Sequence, residues 1–162
     1  MDKQTQKIVF SSNTDLWATP QDFYDNLNQK YSFNLDPCAD VDNTKCSKYF
    51  AEQDDGLSQD WGGHNVFVNP PYSKVKQWVN KAYEESKKPN TVVVMLVAAR
   101  TDTKFFHDYC TKANQILFIK GRLKFGGSVN SAPFPSMVVV FGGDRLYVPP
   151  KYGRMDSKAN EL

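Results

Sequence analysis

At 162 residues, with 40% hydrophobic and 14% aromatic content, the chain can bury one sizeable core and reads as a single domain. A net charge of +2 excludes a histone-like polycation, so any nucleic-acid contact must come from local patches. No apolar run approaches the roughly 18 residues of a membrane span, and residues 1–10 carry no signal-peptide core, which together favour the cytoplasm. The cysteines Cys38, Cys46 and Cys110 are odd in number and lack ligand spacing, and His64 and His107 lie far apart, so neither a disulfide framework nor a metal site is expected.

In chain order, Thr19 reads as an N-cap, Pro20 as the first helical residue and Asp22 as the third. Phe23, Leu27 and Tyr31 then repeat on one face, which predicts a helix over 20–31. Residues 33–36 read as a short strand, and Val66-Phe67-Val68 as the end of a buried one. After a loop closed by Asn69 or Ser73, residues Val75, Trp78, Val79, Ala82 and Tyr83 follow helical spacing up to the stop at Lys87-Lys88-Pro89-Asn90. The continuous β-branched run 91–97 predicts a strand covered on both faces. A helix capped by Thr101 should carry Phe105, Phe106 and Tyr109 to about residue 112, followed by strands over 116–119 and 137–141.

This alternation argues for an α/β fold with a mostly parallel, doubly wound sheet whose final strand is antiparallel and forms the edge. The expected organisation is an N-terminal extension over 1–15, one domain over 16–148 and a flexible basic tail over 149–162. The tail serves either solubility or nucleic-acid contact. In such sheets ligands sit beyond the carboxyl ends of the strands, where Asp36, Asn69 and Arg100 fall.

Asn69-Pro70-Pro71-Tyr72 is the segment that carries chemistry. An amino group on a heteroaromatic ring is a poor nucleophile because its lone pair is delocalised into the ring. The Asn69 side-chain oxygen and the Pro70 carbonyl can accept its two protons, which favours pyramidal nitrogen. Proline φ is fixed and the residue before each proline is pushed to extended backbone, so these acceptors are set in advance. Tyr72 offers a ring for stacking. The bland alternative is a strand-ending turn.

The motif resembles the catalytic loop of amino-group methyltransferases that use S-adenosylmethionine (SAM). With Trp17-Ala18-Thr19-Pro20, Leu35-Asp36-Pro37-Cys38-Ala39-Asp40, Asp54-Asp55-Gly56-Leu57, Ala99-Arg100-Thr101-Asp102-Thr103, Gly121-Arg122-Leu123-Lys124-Phe125 and Ala132-Pro133-Phe134-Pro135-Ser136, the chain is similar to the phage-type, Dam-like DNA N6-adenine methyltransferases. The resemblance implies a Rossmann-like SAM-dependent fold and methyl transfer to adenine N6 in double-stranded DNA. It also implies a flipped base and a short context such as GATC.

The same resemblance implies site roles. Asn69, Pro70, Pro71 and Tyr72 are catalytic. Trp17, Thr19, Pro20, Asp36, Pro37, Cys38, Ala39 and Asp55 bind the cofactor, with Asp54 as the alternative to Asp55 and a plain turn as the alternative to both. Thr19-Pro20 is open to two uses, capping and contact with the SAM carboxylate. Lys74, Arg100, Arg122, Lys124 and Asn130 are the expected DNA contacts, the loop pair Arg122 and Lys124 being otherwise solvated charges. A chain this short is expected to act as a monomer or a weak homodimer. The loop after the first strand lacks Gly-x-Gly, which sets the chain apart from the RNA and protein-glutamine enzymes that share the motif. The other-class alternative is a catalytically silent binding module.

Overall fold

The computed structural model describes residues 18–127, 131–142 and 150–162. Among them, five strands form one sheet in the order β1-β2-β4-β3-β5: β1 (Asn65–Val68), β2 (Val92–Ala98), β3 (Gln115–Ile119), β4 (Ser136–Gly142) and β5 (Lys151–Met155). The helices are α1 (Gln21–Tyr31), α2 (Val75–Glu85) and the short α3 (Lys104–Asp108), which runs on into a 3-10 turn at Cys110–Lys112. None is long and apolar enough to cross a membrane.

The period-two pattern of β2 builds the core on both faces. Val93, Met95 and Val97 point to one layer with Val66, Val68, Val79, Phe105 and Phe106. Val94 and Leu96 point to the other with Phe23, Leu27 and Phe67. Helices therefore cover both sides of the sheet, as the unbroken apolar run in β2 requires.

Three expectations need correction. The sheet is mixed: β1–β2 and β3–β5 pair in parallel, whereas β4 is antiparallel to both β2 and β3. The antiparallel strand thus lies inside the sheet and not at its edge. Lys151–Met155, within the stretch 149–162 expected as a loose basic tail, forms β5. Lys151–Met155 satisfies the outer backbone edge of β3, Gly153 allows close approach to Leu117, and Met155 is buried. The strand expected over 33–36 is reduced to bridges from Leu35 to Val66 and from Asp36 to Tyr49.

Two caps also move. Pro20, with ψ of 134°, occupies the N-cap of α1, and Thr19 makes no capping bond. Helix α3 is preceded by Thr103 and not Thr101, because the turn from Arg100 closes first: the Thr103 amide and hydroxyl both donate to the Arg100 carbonyl.

Candidate active site

Parallel strands deliver their carboxyl ends to the same edge, and the start of the antiparallel β4 returns there, since Ala98 pairs with Ser136. Two cavities are built at this edge. The first, about 160 Å³, is lined by Asn69, Pro70 and Tyr72 from the end of β1, by Ala98 and Arg100 from the end of β2, and by Phe125 and Phe134 from the β3–β4 connection. The second, about 450 Å³, is lined by the loop Pro37-Cys38-Ala39-Asp40, by Phe50, Asp55, Gly56 and Leu57, and by Pro71, Lys74 and Trp78. The Asn-Pro-Pro-Tyr segment is their shared wall: Asn69, Pro70 and Tyr72 face one and Pro71 the other. The larger volume lies within the roughly 300–1,000 Å³ of small-molecule sites.

The first cavity is aromatic and carries one cation. The Tyr72 ring lies 5.2 Å from the Phe134 ring, and the Arg100 guanidinium sits over the Tyr72 ring at 4.7 Å. Phe125 backs Phe134 at 6.0 Å. The Asn69 carboxamide is held by its nitrogen end, which donates to the Thr19 hydroxyl at 3.0 Å. Thr19 itself is buried behind the cavity.

The second cavity is walled by backbone in close contact. A Cβ added at Gly56 would lie 2.0 Å from the Pro37 carbonyl oxygen and 3.1 Å from the Trp78 ring. The Pro37-Cys38-Ala39-Asp40 loop has no glycine of its own, and Gly56 supplies the close backbone approach from across the gap. Trp61 fixes Gly56 by donating its indole N–H to the Gly56 carbonyl at 2.9 Å, and it stacks on Trp78 with 6.0 Å between rings. Glu85 of α2 anchors this wall from behind. It accepts the Trp61 backbone N–H at 3.2 Å and pairs with Lys81 and Lys88; burial pushes its carboxyl up, but the two lysines win and hold it below the ordinary value.

Polar atoms in the walls of both cavities lack partners. The Tyr72 hydroxyl and the Trp78 indole N–H are buried with no hydrogen-bond partner among the described residues. A buried orphan of this kind costs about 1–3 kcal/mol, and the Ser136 hydroxyl at the start of β4 is a third.

The structure distributes the sequence-derived residues unevenly. Asn69, Pro70, Tyr72 and Arg100 meet in the first cavity, and Pro37, Cys38, Ala39, Asp55, Pro71 and Lys74 in the second. Lys74, expected to touch phosphate, thus faces the larger cavity. Asp36 lies beneath its loop, 4% exposed, with its two oxygens accepting the Cys38 and Lys45 amides at 3.3 Å each. Burial raises its carboxyl to about 6 despite those bonds. Pro20 serves as the α1 cap, while Arg122 is exposed and donates to the Ala132 carbonyl at 3.2 Å, pinning its own loop; Lys124 is exposed on the same loop. Trp17 and Asn130 lie outside the described residues.

Phe125, Phe134 and Trp78 were given no site role from the sequence, yet the structure places them in the cavity walls. Phe134 lay within a quoted motif, and Trp78 sits two turns beyond Pro71 on the amphipathic helix, so both carried a signal. Among the described residues, no three of His, Cys, Asp and Glu gather as a metal would need.

Residues 6–142 match the family described as DNA N-6-adenine-methyltransferase (Dam). A DNA N-6-adenine-methyltransferase of Haemophilus phage HP1 is 34% identical over 146 residues, covering 85% of this chain and 84% of that protein. One of Escherichia phage T1 is 32% identical over 111 residues, covering 67% of this chain and 46% of that protein. A match over most of the chain establishes that this protein belongs to the DNA N-6-adenine-methyltransferase (Dam) family.

Proposed function

We propose that the protein transfers a methyl group from SAM to the N6 amino group of adenine in double-stranded DNA, with the base rotated out of the duplex into the smaller cavity. The observation that carries this reading is the shared wall: one rigid Asn-Pro-Pro-Tyr segment borders an aromatic slot on one side and a larger, mixed-polarity cavity on the other. That arrangement suits a two-substrate reaction in which an acceptor and a donor must meet across a few atoms.

The larger cavity fits the cofactor by its chemistry. Asp55 offers a carboxylate to ribose hydroxyls, and Trp78 and Leu57 offer apolar contact. When bound there, SAM supplies an activated methyl group on a sulfonium, so the protein needs no covalent intermediate. The chain's own part is orientation. The Asn69 and Pro70 carbonyls accept the two N6 protons and aim the nitrogen lone pair toward Pro71 and the larger cavity. Tyr72 and Phe134 hold the ring plane. Arg100 lies over the Tyr72 face that an incoming base takes, and it leaves that face for a backbone phosphate as the base enters.

The test is direct. Purified protein is incubated with methyl-labelled SAM and unmethylated DNA, RNA or protein, and the products are digested. Label in N6-methyladenine from DNA is expected; label in RNA or in protein glutamine alone, or no transfer, overturns the reading. Plasmid from an expressing host otherwise free of adenine methylation, cut with GATC-sensitive enzymes, then reports whether the context is GATC.

A further inference from the structure

Among the described residues, Lys74 is the one cation in the lining of the larger cavity, and it does not line the aromatic slot. The other charged groups of that lining are the carboxylates of Asp40, Glu52 and Asp55. Asp40 is engaged in its own loop, where it accepts the amides of Asp42 and Asn43 and the Asn43 side-chain N–H. Lys74 is not engaged: every ion pair among the described residues is made by other side chains, and its ammonium pairs with neither Glu52 nor Asp55. The backbone fixes where this cation starts. Lys74 closes the 3-10 turn that follows Pro71, donating its amide to the Pro71 carbonyl at 3.1 Å. Nor does the fold account for the choice of residue. Lys74 immediately precedes α2, whose first turn holds no acid, and the amino end of a helix already carries partial positive charge, so a cation there is unfavourable for the helix alone.

An ammonium only donates hydrogen bonds, so its complement is an anion. SAM carries a single anion, its carboxylate, beside an ammonium, a sulfonium and the ribose hydroxyls. From this match between the one cation of the cavity and the one anion of the donor, we infer that Lys74 binds the carboxylate at the methionine end of SAM. The direction of transfer agrees with it. The sulfonium must face Pro71 for its methyl group to reach the shared wall, and the methionine arm leaves that same sulfur, which brings its carboxylate toward the turn carrying Lys74. Glu52 and Asp55 remain for the hydroxyls and the ammonium. The residues that the family resemblance offered for the carboxylate do not line this cavity: Thr19 is buried with its hydroxyl on Asn69, and Pro20 has no N–H to donate. The inference rests on the proposed SAM-dependent reaction and adds to it the orientation of the donor.

Decarboxylated SAM differs from SAM by that one group, so it tests the contact without any turnover. In calorimetric titrations of the full chain, Lys74→Met keeps an unbranched stem and removes the charge. It is expected to raise the Kd for SAM by about tenfold, the scale of one charge-assisted hydrogen bond, and to leave the Kd for decarboxylated SAM within about twofold of wild type or below it. Retained binding of decarboxylated SAM also shows that the variant is folded. An unchanged Kd for SAM in Lys74→Met overturns the inference. Equal losses for both ligands overturn it as well, since Lys74 then shapes the cavity without meeting the carboxylate. A loss confined to DNA binding, with a flatter dependence on salt, overturns it in favour of a phosphate contact. If the wild-type protein takes up neither ligand, the placement of SAM itself fails and the inference falls with it, a result distinct from the other three.

Discussion

Gly56→Ala places one methyl group where the protein has no room for it. The new Cβ would lie 2.0 Å from the Pro37 carbonyl oxygen, whereas an ordinary contact begins near 3.4 Å, so two backbone segments must part by roughly 1.4 Å. Neither partner is a flexible side-chain end. Pro37 belongs to the loop lining the larger cavity, and the next contact, the Trp78 ring at 3.1 Å, is wedged against Trp61. Overpacking of this kind costs about 1–3 kcal/mol. Separation also strains the Trp61 bond to the Gly56 carbonyl, 2.9 Å in the native arrangement. Loss of that bond adds about 1 kcal/mol or more, and in a domain of this size the sum lowers Tm by roughly 5–12 °C. Because the displaced segments wall the cavity proposed for SAM, the Kd for SAM should rise at least about tenfold, measured by calorimetry below the melting range. Gly62→Ala is the matched control. Its Cβ would meet Asp60 Oδ1 and Lys88 Cδ, each at 3.0 Å, atoms of an exposed ion pair that can shift by the few tenths of an ångström required, with no backbone in the way. Its Tm should stay within about 2 °C of wild type. A Gly56→Ala protein that melts and binds SAM like wild type would refute both the contact argument and the placement of the cofactor beside it.

Other outcomes are expected on the same grounds. Asn69→Ala and Tyr72→Ala should abolish or greatly reduce N6-methyladenine formation while the far-ultraviolet spectrum is retained, and full activity in either would remove that residue from the reaction. Arg100→Ala should weaken DNA binding and make log Kd less steep in log salt by roughly one phosphate contact, about 0.9, with SAM affinity unchanged; an unaltered slope would show that Arg100 never leaves Tyr72 for phosphate. Asp36 makes stability depend on pH in a stated direction. Burial raises its carboxyl from 3.8 to about 6, so the folded protein binds this proton more tightly than the unfolded chain. That contribution is full below the unfolded value and is lost as pH rises through about 6. The stability difference between wild type and the non-titrating Asp36→Asn, from urea unfolding, should therefore shift by about 1 kcal/mol against wild type between pH 5 and pH 8. A difference that stays flat, or moves the other way, would contradict the buried placement.

The elements that could be read from residues alone were those whose pattern has one physical solution. Val75, Trp78, Val79 and Ala82 repeat at helical spacing and form α2, and the β-branched run of β2 is too apolar to be anything but covered on both faces. Strand order is different in kind. Nothing in the residues of β4 states that it slots between β2 and β3, because its apolar run suits an edge hairpin and an interior strand equally until the remaining layers are in place. β5 escaped notice because Lys151, Tyr152 and Arg154 look like a solvated tail; its pairing is driven by the open edge of β3, a property of the fold and not of the segment.

At the site, the legible part was the part whose chemistry is local. Asn69, Pro70 and Tyr72 are adjacent in sequence and act together in space, so their grouping needed no tertiary information. The partners that give them direction come from elsewhere. Thr19 reaches Asn69 across 50 positions, and Phe134 meets Tyr72 only because β4 returns antiparallel to the edge where β1 ends. A residue suited to a local task invites the local explanation: Thr before Pro reads as a cap, Trp on an amphipathic helix reads as core, and Asp after a short strand reads as a ligand contact. In each case burial redirects the group. A buried hydroxyl has to find a partner, and at Thr19 the partner is the carboxamide on which the proposed chemistry depends. A buried carboxylate takes the amides of its own loop, so Asp36 shapes the wall of the larger cavity from below without facing it.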